Sequence, residues 1–159
     1  RVRPQCRTPR AGPRLRGPVA YLFDTDAISE LLRPRPAAAY VNWLGRLPRE
    51  DQFTSAVVVG ELFKGAYRSA ARDRHLENIE ELILPTVTVL PFDTAVARVF
   101  GRIRVNLEER GEPLADADLQ IAATAVHHDL ELVTGNLRHF ERIGDLSISR
   151  VLVEAREQD

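Results

Sequence analysis

Short apolar runs that break on an acid or an amide constrain this chain more than any other feature. Ala20-Tyr21-Leu22-Phe23 ends on Asp24, Ala56-Val57-Val58-Val59-Gly60 runs into Glu61, and Leu132-Val133-Thr134 leads to Gly135-Asn136. Asp118 opens Leu119-Gln120-Ile121-Ala122-Ala123-Thr124-Ala125-Val126. Short strand-like runs alternate with helical periodicity along the chain. That alternation predicts a three-layer α/β fold, a central, mainly parallel sheet flanked by helices. Such folds place their chemistry at the carboxyl edge of the sheet. Each of the four polar residues falls at a junction of that kind.

The element reading is specific enough to test. Residues 20–23 read as a buried strand. A helix follows, capped within Asp24-Thr25-Asp26, carrying Ile28, Leu31 and Leu32, and stopped by Pro34 and Pro36. A second helix is expected over 37–47 and a short strand over 52–54. Ser55 is placed as the N-cap of a helix reaching about Ser69. Residues 72–84 read as helix and 86–90 as strand. Asp93 or Thr94 caps a long helix with Val96, Val99, Phe100, Ile103 and Leu107 in register, closed by Gly111. A loop at 113–115, a helix over 116–128, a strand over 131–134 and a last strand over 148–153 complete the domain. The domain is placed at residues 19–153, with a tail at 154–159.

Composition bounds the rest. A chain of 159 residues suits one domain, and 44% hydrophobic residues suffice for a packed core. No apolar run approaches the roughly 18 residues of a membrane span, so no membrane association is expected. A single cysteine, Cys6, excludes an internal disulfide framework and suits a reducing cytoplasm. Residues 1–18 carry six arginines, four prolines and no acid. They are expected to form a disordered basic head. An RNA-binding arm is one reading of it, and a translated upstream stretch, with Val19 as an alternative start, is the favoured one.

Each junction residue has an ordinary structural explanation. Asp24 caps a helix, Asp116 or Asp118 caps another, Glu61 sits on a solvated face, and Gly135-Asn136 makes a turn. Helix phase argues for more. Ile121, Ala122, Ala125 and Val126 lie along the stripe of Asp118, so that acid is expected on the buried side. Glu61 shares a face with Val57 and Val58, with Gly65 one turn on. Buried acids need a partner, and no obvious base stands beside each. A divalent cation satisfies them together. Carboxylates with an amide oxygen, without Cys or His, suit Mg²⁺, with Mn²⁺ as a substitute. A cation there would supply what phosphodiester hydrolysis requires.

These segments together resemble the PIN-domain ribonucleases, and among them the VapC toxins of type II toxin–antitoxin pairs. The stretch from Tyr21 to Leu31, Ser55 to Leu62, Asp118 to Ala125 and Leu132 to Phe140 carry the likeness in the family's order. The resemblance implies that Asp24, Glu61 and Asp118 are the metal-binding acids. Asn136 then falls where many members have a fourth acid, giving a catalytic set of Asp24, Glu61, Asp118 and Asn136. Asp26 stands where Asn is more usual. It further implies an endoribonuclease that uses metal-activated water and leaves a 5′-phosphate and a 3′-hydroxyl. An antitoxin partner and a homodimer are implied as well. The apolar residues of the early helices (Leu31, Leu32, Tyr40, Val41, Trp43, Leu44) support a partner face only loosely.

Secondary candidates are Asp116, Asp26 and Thr134 near the metal, and Lys64 and Arg68 for RNA phosphates. In a helix, Asp116 would point away from Asp118, whereas in the loop just before the helix it could still reach the cleft. The four histidines show no zinc spacing. Two other readings stand beside the nuclease. One is a PIN-like scaffold that binds RNA or a partner without cutting, which the absent acid at position 136 would permit. The other is a HAD-like phosphatase, since Asp24-Thr25-Asp26 mimics its nucleophile motif. That motif wants Thr or Val where the chain has Ile28, and a later lysine, whereas the sole lysine, Lys64, follows Glu61.

Overall fold

Strand β1, Tyr21–Phe23, is the axis of the molecule. The computed structural model describes residues 19–158. The expected head at 1–18 lies outside them. Strand β2 (Gln52–Ser55) pairs with β1 on one side, and β4 (Glu131–Val133) on the other. Strand β3 (Thr88–Leu90) extends the sheet beyond β2, and β5 (Ile148–Ser149) beyond β4. The order β3-β2-β1-β4-β5 is parallel throughout. All carboxyl ends therefore open on one edge. The chain order reverses between β1 and β4, which leaves a crevice at that edge.

The central strands β1 and β4 are buried on both faces. Leu22, Leu132 and Val133 have no exposed surface, as a parallel sheet covered on both sides requires. Helix α1 (Thr25–Leu31) follows β1, and α2 (Ala38–Leu44) follows the proline-rich break. Ser55 caps α3 (Ala56–Arg68), its hydroxyl accepting the Val58 N–H at 3.1 Å. Asp93 caps α5 (Thr94–Glu109) in the same way through Val96. That helix closes at Gly111, whose φ of +69° is costly for a residue with a Cβ. Helix α6 (Asp116–His127) packs along α5.

Three expectations need correction, and one short helix comes in addition to them. Residues 72–84 are not one regular helix. After α4 (Arg72–Glu77) the chain widens into a π-helical turn over Asn78–Ile83 and then tightens into a 3₁₀ turn over Leu84–Thr86. Pro85 removes an N–H there, so β3 begins only at Thr88. A four-residue helix, α7 (Leu137–Phe140), follows β4. It is too short to show periodicity, and Phe140 anchors it in the core. The last strand stops at Ser149, and residues 151–158 form α8 (Val151–Gln158) rather than strand and tail. Val151-Leu152-Val153 looks strand-like in isolation, yet burial selects Leu152 and then Ala155, three residues on. That is helical spacing.

Helix α8 packs on α2. Tyr40, expected on a partner face, is instead fully buried. It stacks on Trp43, and its hydroxyl donates to the Ala27 carbonyl at 3.2 Å. Of the other early apolar residues, Val41 is exposed, and Leu31, Leu32, Trp43 and Leu44 are half-buried.

Candidate active site

Asp24 leaves β1 at the centre of the carboxyl edge. Its N–H extends the ladder to the Val133 carbonyl at 3.0 Å. Its carboxylate caps α1, accepting the Thr25 N–H at 2.6 Å, so the ordinary capping role is real. It does more than cap. The second oxygen accepts the Thr134 hydroxyl at 2.8 Å, and that hydroxyl accepts the Asn136 N–H at 3.0 Å. Thr134 is fully buried just beyond β4. Its single hydroxyl therefore links the end of β1 to the turn after β4.

Asp24 is only 6% exposed, and among the described residues no base pairs with it. Burial is the main cause that pushes its carboxyl up to about 6; the nearby charges of Asp118 and Asp26 add to the rise, and the bonds from Thr134 and Thr25 oppose it. A carboxylate held this way is short of positive charge.

Glu61 reaches the same edge from α3. The expectation that it lacks a base fails, because Lys64 Nζ meets its two oxygens at 2.7 and 2.6 Å. The i,i+3 spacing on α3 makes this contact local. The pair is solvent-accessible, with Glu61 34% exposed. Lys64 therefore sits at the rim of the site as a partner of Glu61. Arg68, in the last turn of α3, is exposed.

Asp118 lies in the first turn of α6, 27% exposed, above the buried Ile121, Ala122 and Ala125. Asp116 points away, as its helical phase predicts. It is 74% exposed and pairs with Arg104 of α5. Ala115, not either acid, is the N-cap of α6.

One histidine belongs here that its lack of zinc spacing concealed. His139 Nδ1 lies 3.1 Å from Asp118 Oδ2 and 2.7 Å from the Asn136 side-chain amide. One ring nitrogen cannot both donate to the carboxylate and accept from an NH₂ group. Donation to Asp118 requires the Asn136 amide to turn its oxygen toward the ring. The legible clue was the spacing Asn136–His139, one helical turn, ahead of the anchoring Phe140.

Asp26 turns to a second basic residue that sequence reasoning missed, Arg156 of α8, at 2.9 Å. No local pattern points to a residue 130 positions away.

Asp24, Glu61, Asp118 and Asn136 line one open cleft of about 420 Å³, with Asp26 beside them. The expected convergence is thus real at the level of the cleft. In detail, Glu61 leans on Lys64 and Asp118 on His139. No three acidic, histidine or cysteine side chains among the described residues stand close enough to form a ready metal cage. The donor set itself is all oxygen, and Asp24 lacks a counter-charge, so these residues fit a hard divalent cation.

Residues 21–146 match the PIN domain family model. Toxin FitB of Neisseria gonorrhoeae is 40% identical over 124 residues, 75% of this chain and 89% of that protein. The tRNA(fMet)-specific endonuclease VapC of Shigella flexneri is 32% identical, covering 79% of this chain and 93% of its own. Among solved structures, FitAcB from Neisseria gonorrhoeae superposes with a TM-score of 0.76 at 36% identity, covering 82% of this chain and 97% of that one. With that match spanning every strand but the last, this chain belongs to the PIN-domain family, in its VapC-type group.

Proposed function

We propose that this chain is a divalent-metal-dependent endoribonuclease, the toxin of a toxin–antitoxin pair. The observation that carries the reading is the shared cleft, with the buried Asp24 short of positive charge at its floor. Asp24, Glu61 and Asp118 would hold Mg²⁺, or Mn²⁺ in its place. The bound cation would supply activation of water and stabilisation of the charge that develops on the phosphodiester.

The chain's own groups set the geometry. Thr134 fixes the rotamer of Asp24 through its hydroxyl. Asn136 presents an amide, a weaker ligand for hard cations than a carboxylate, and acts as a secondary ligand or orients water. Lys64, paired with Glu61, and Arg68, further along α3, would supply positive charge for an RNA backbone. The names of the relatives, a toxin and a tRNA(fMet)-specific endonuclease, support both RNA as substrate and the toxin role. Solved neighbours such as VapBC-5 from Mycobacterium tuberculosis, a member of the VapBC family of toxin–antitoxin systems, support an antitoxin partner. A groove of about 380 Å³ between α1, α3 and the π-helical turn offers it a seat. The groove shares Thr25, Ser29 and Glu61 with the cleft, so an occupant would obstruct the site. No helix among the described residues is long and apolar enough to cross a membrane. We place the action in the cytoplasm, and a homodimer would use the exposed edge of the early helices around Val41.

The test joins chemistry to phenotype. Purified protein should cleave RNA with Mg²⁺ or Mn²⁺ and stop in excess EDTA. Asp118→Asn should reduce cleavage by orders of magnitude with an unchanged circular-dichroism spectrum. Bacterial expression of the wild-type chain should arrest growth, and that of Asp118→Asn should not. Full activity in EDTA would end the metal reading. A folded protein without cleavage under any divalent cation would favour a PIN-like scaffold that binds without cutting.

His139 gives a second, smaller expectation. It touches Asp118 and Asn136 without lining the floor of the cleft. His139→Ala should weaken Mn²⁺ binding by about tenfold, the low end of what loss of a ligand-orienting contact does. His139→Gln, which retains a donor, should recover part of it. Calorimetric titration measures both, and unchanged affinity in His139→Ala would show the contact to be idle.

A further inference from the structure

The C-terminal helix reaches the catalytic edge through one side chain. Arg156 donates from Nη2 to Asp26 Oδ1 at 2.9 Å and from Nη1 to Asp26 Oδ2 at 3.2 Å. Its Nε and the same Nη2 donate to Glu30 Oε2 at 3.0 and 2.8 Å. Glu30 is 1% exposed, and its other oxygen accepts the Ala37 N–H at 2.9 Å. Arg33 touches Glu30 from the solvent side at 3.2 Å. A carboxylate this buried needs both its charge and its lone pairs satisfied. One guanidinium thus ties α8 to both ends of α1, a two-point task for which its planar fork is suited.

A second observation connects this clasp to the cleft. A Cβ at Gly135 would collide with Asp26 Oδ2 and Arg156 Nη1. The turn after β4 therefore rests its bare backbone on the ion pair. Its neighbours are Thr134, which holds Asp24, and Asn136. Asp26 itself lines the cleft. Arg156 lies beyond residue 146, where the family match ends.

We propose that Arg156 is a positioning residue for the active cleft: its clasp on Asp26 and Glu30 holds the Thr134–Asn136 turn in register with Asp24 and keeps Asp26 paired rather than free among the metal-binding acids. Without the guanidinium, Asp26 becomes an additional unpaired acid in the cleft, and the turn loses the surface it rests on. The inference rests on the nuclease reading for its kinetic and Mn²⁺ arms, and not for its amide signals.

The experiment uses the full chain as Arg156→Gln, Arg156→Lys, Gly135→Ala and the double variant Glu30→Gln/Arg156→Gln. The double variant removes the buried charge that could unfold Arg156→Gln, while still releasing Asp26. Three readouts are taken: kcat and KM on an RNA, Mn²⁺ affinity by calorimetry, and the amide NMR signals of Gly135 and Asn136. Misplaced reacting groups lower turnover more than binding. The double variant and Gly135→Ala should therefore lose about tenfold or more in kcat, with KM within about threefold. Arg156→Lys should recover only part, since a point charge cannot span two carboxylates. A folded double variant with wild-type kcat and unmoved Gly135 and Asn136 signals would overturn the proposal. If the wild-type chain cleaves no RNA, the nuclease reading falls separately. The amide signals then decide alone, moved signals supporting the clasp and unmoved ones overturning it.

Discussion

Asp24→Asn should lower RNA cleavage by about a thousandfold or more and leave the fold intact. The substitution is nearly isosteric, and an amide oxygen can still accept the Thr25 N–H that caps α1. What it removes is the charge at the floor of the cleft. Loss of several kcal/mol of charge stabilisation, at about 1.4 kcal/mol per decade of rate, gives a factor of that size. Asn136→Ala should lose less, because the Asn136 amide is a weaker ligand at the rim. Single-turnover cleavage of one RNA by the two variants ranks them directly. A larger loss at Asn136 than at Asp24 would reverse the assignment of primary and secondary ligand. Cleavage by Asp24→Asn within tenfold of wild type would remove Asp24 from the mechanism.

Much of this was legible because the relevant signals are local. Ser55, Asp93 and Gly111 act within one helical turn of themselves, so caps and closures read directly from spacing. Asp24 and Asn136 were legible because a parallel sheet sends its strand ends to one edge, and Glu61 and Asp118 because their helix phase sets them beside apolar positions. The same logic could not supply the details of pairing. Lys64 sits three residues from Glu61 and was in view, yet its preference for that carboxylate over solvent depends on side-chain direction. His139 stands at no zinc spacing from another histidine, so no local pattern marks it. Its contacts with Asp118 depend on a four-residue helix that shows no period.

The ends of the domain were the least legible part. Asp26 and Glu30 lie on α1 without any local base on their face except the exposed Arg33. Their partner comes from α8, whose opening apolar triplet imitates a strand. Only the packing of Leu152 and Ala155 shows which period applies. A tertiary contact over 126 residues leaves no trace in spacing. The unusual acid at position 26 and the glycine at 135 are explained by the same distant arginine.

In EDTA, the wild-type chain should lose stability as pH rises from about 4 to 6, relative to Asp24→Asn. Asp24 in the folded chain titrates at about 6 against an ordinary value of 3.8, chiefly because of its burial. Between those two values the folded state holds a proton that the unfolded state has released. Proton release on unfolding makes stability fall with rising pH in that window, by up to about 3 kcal/mol once pH exceeds 6. Other groups act oppositely. Glu30 is held below the usual range by the Ala37 N–H and Arg156, against its burial, so its contribution is lost as pH falls below about 4.5. His128, lowered by burial, favours the neutral ring and loses stability on acidification. Subtracting the Asp24→Asn curve from the wild-type curve cancels both. Denaturant midpoints at pH 4.5 to 8 measure the difference, which should grow to its full size near pH 6 and then stay level. Mn²⁺ at saturating concentration should abolish the wild-type deficit at pH 8, where the carboxylate is free to bind it, and should do little at pH 4.5, where protons compete. A flat difference curve would mean that Asp24 is already compensated in the folded chain, and the case for a cation at that position would then lose its physical basis.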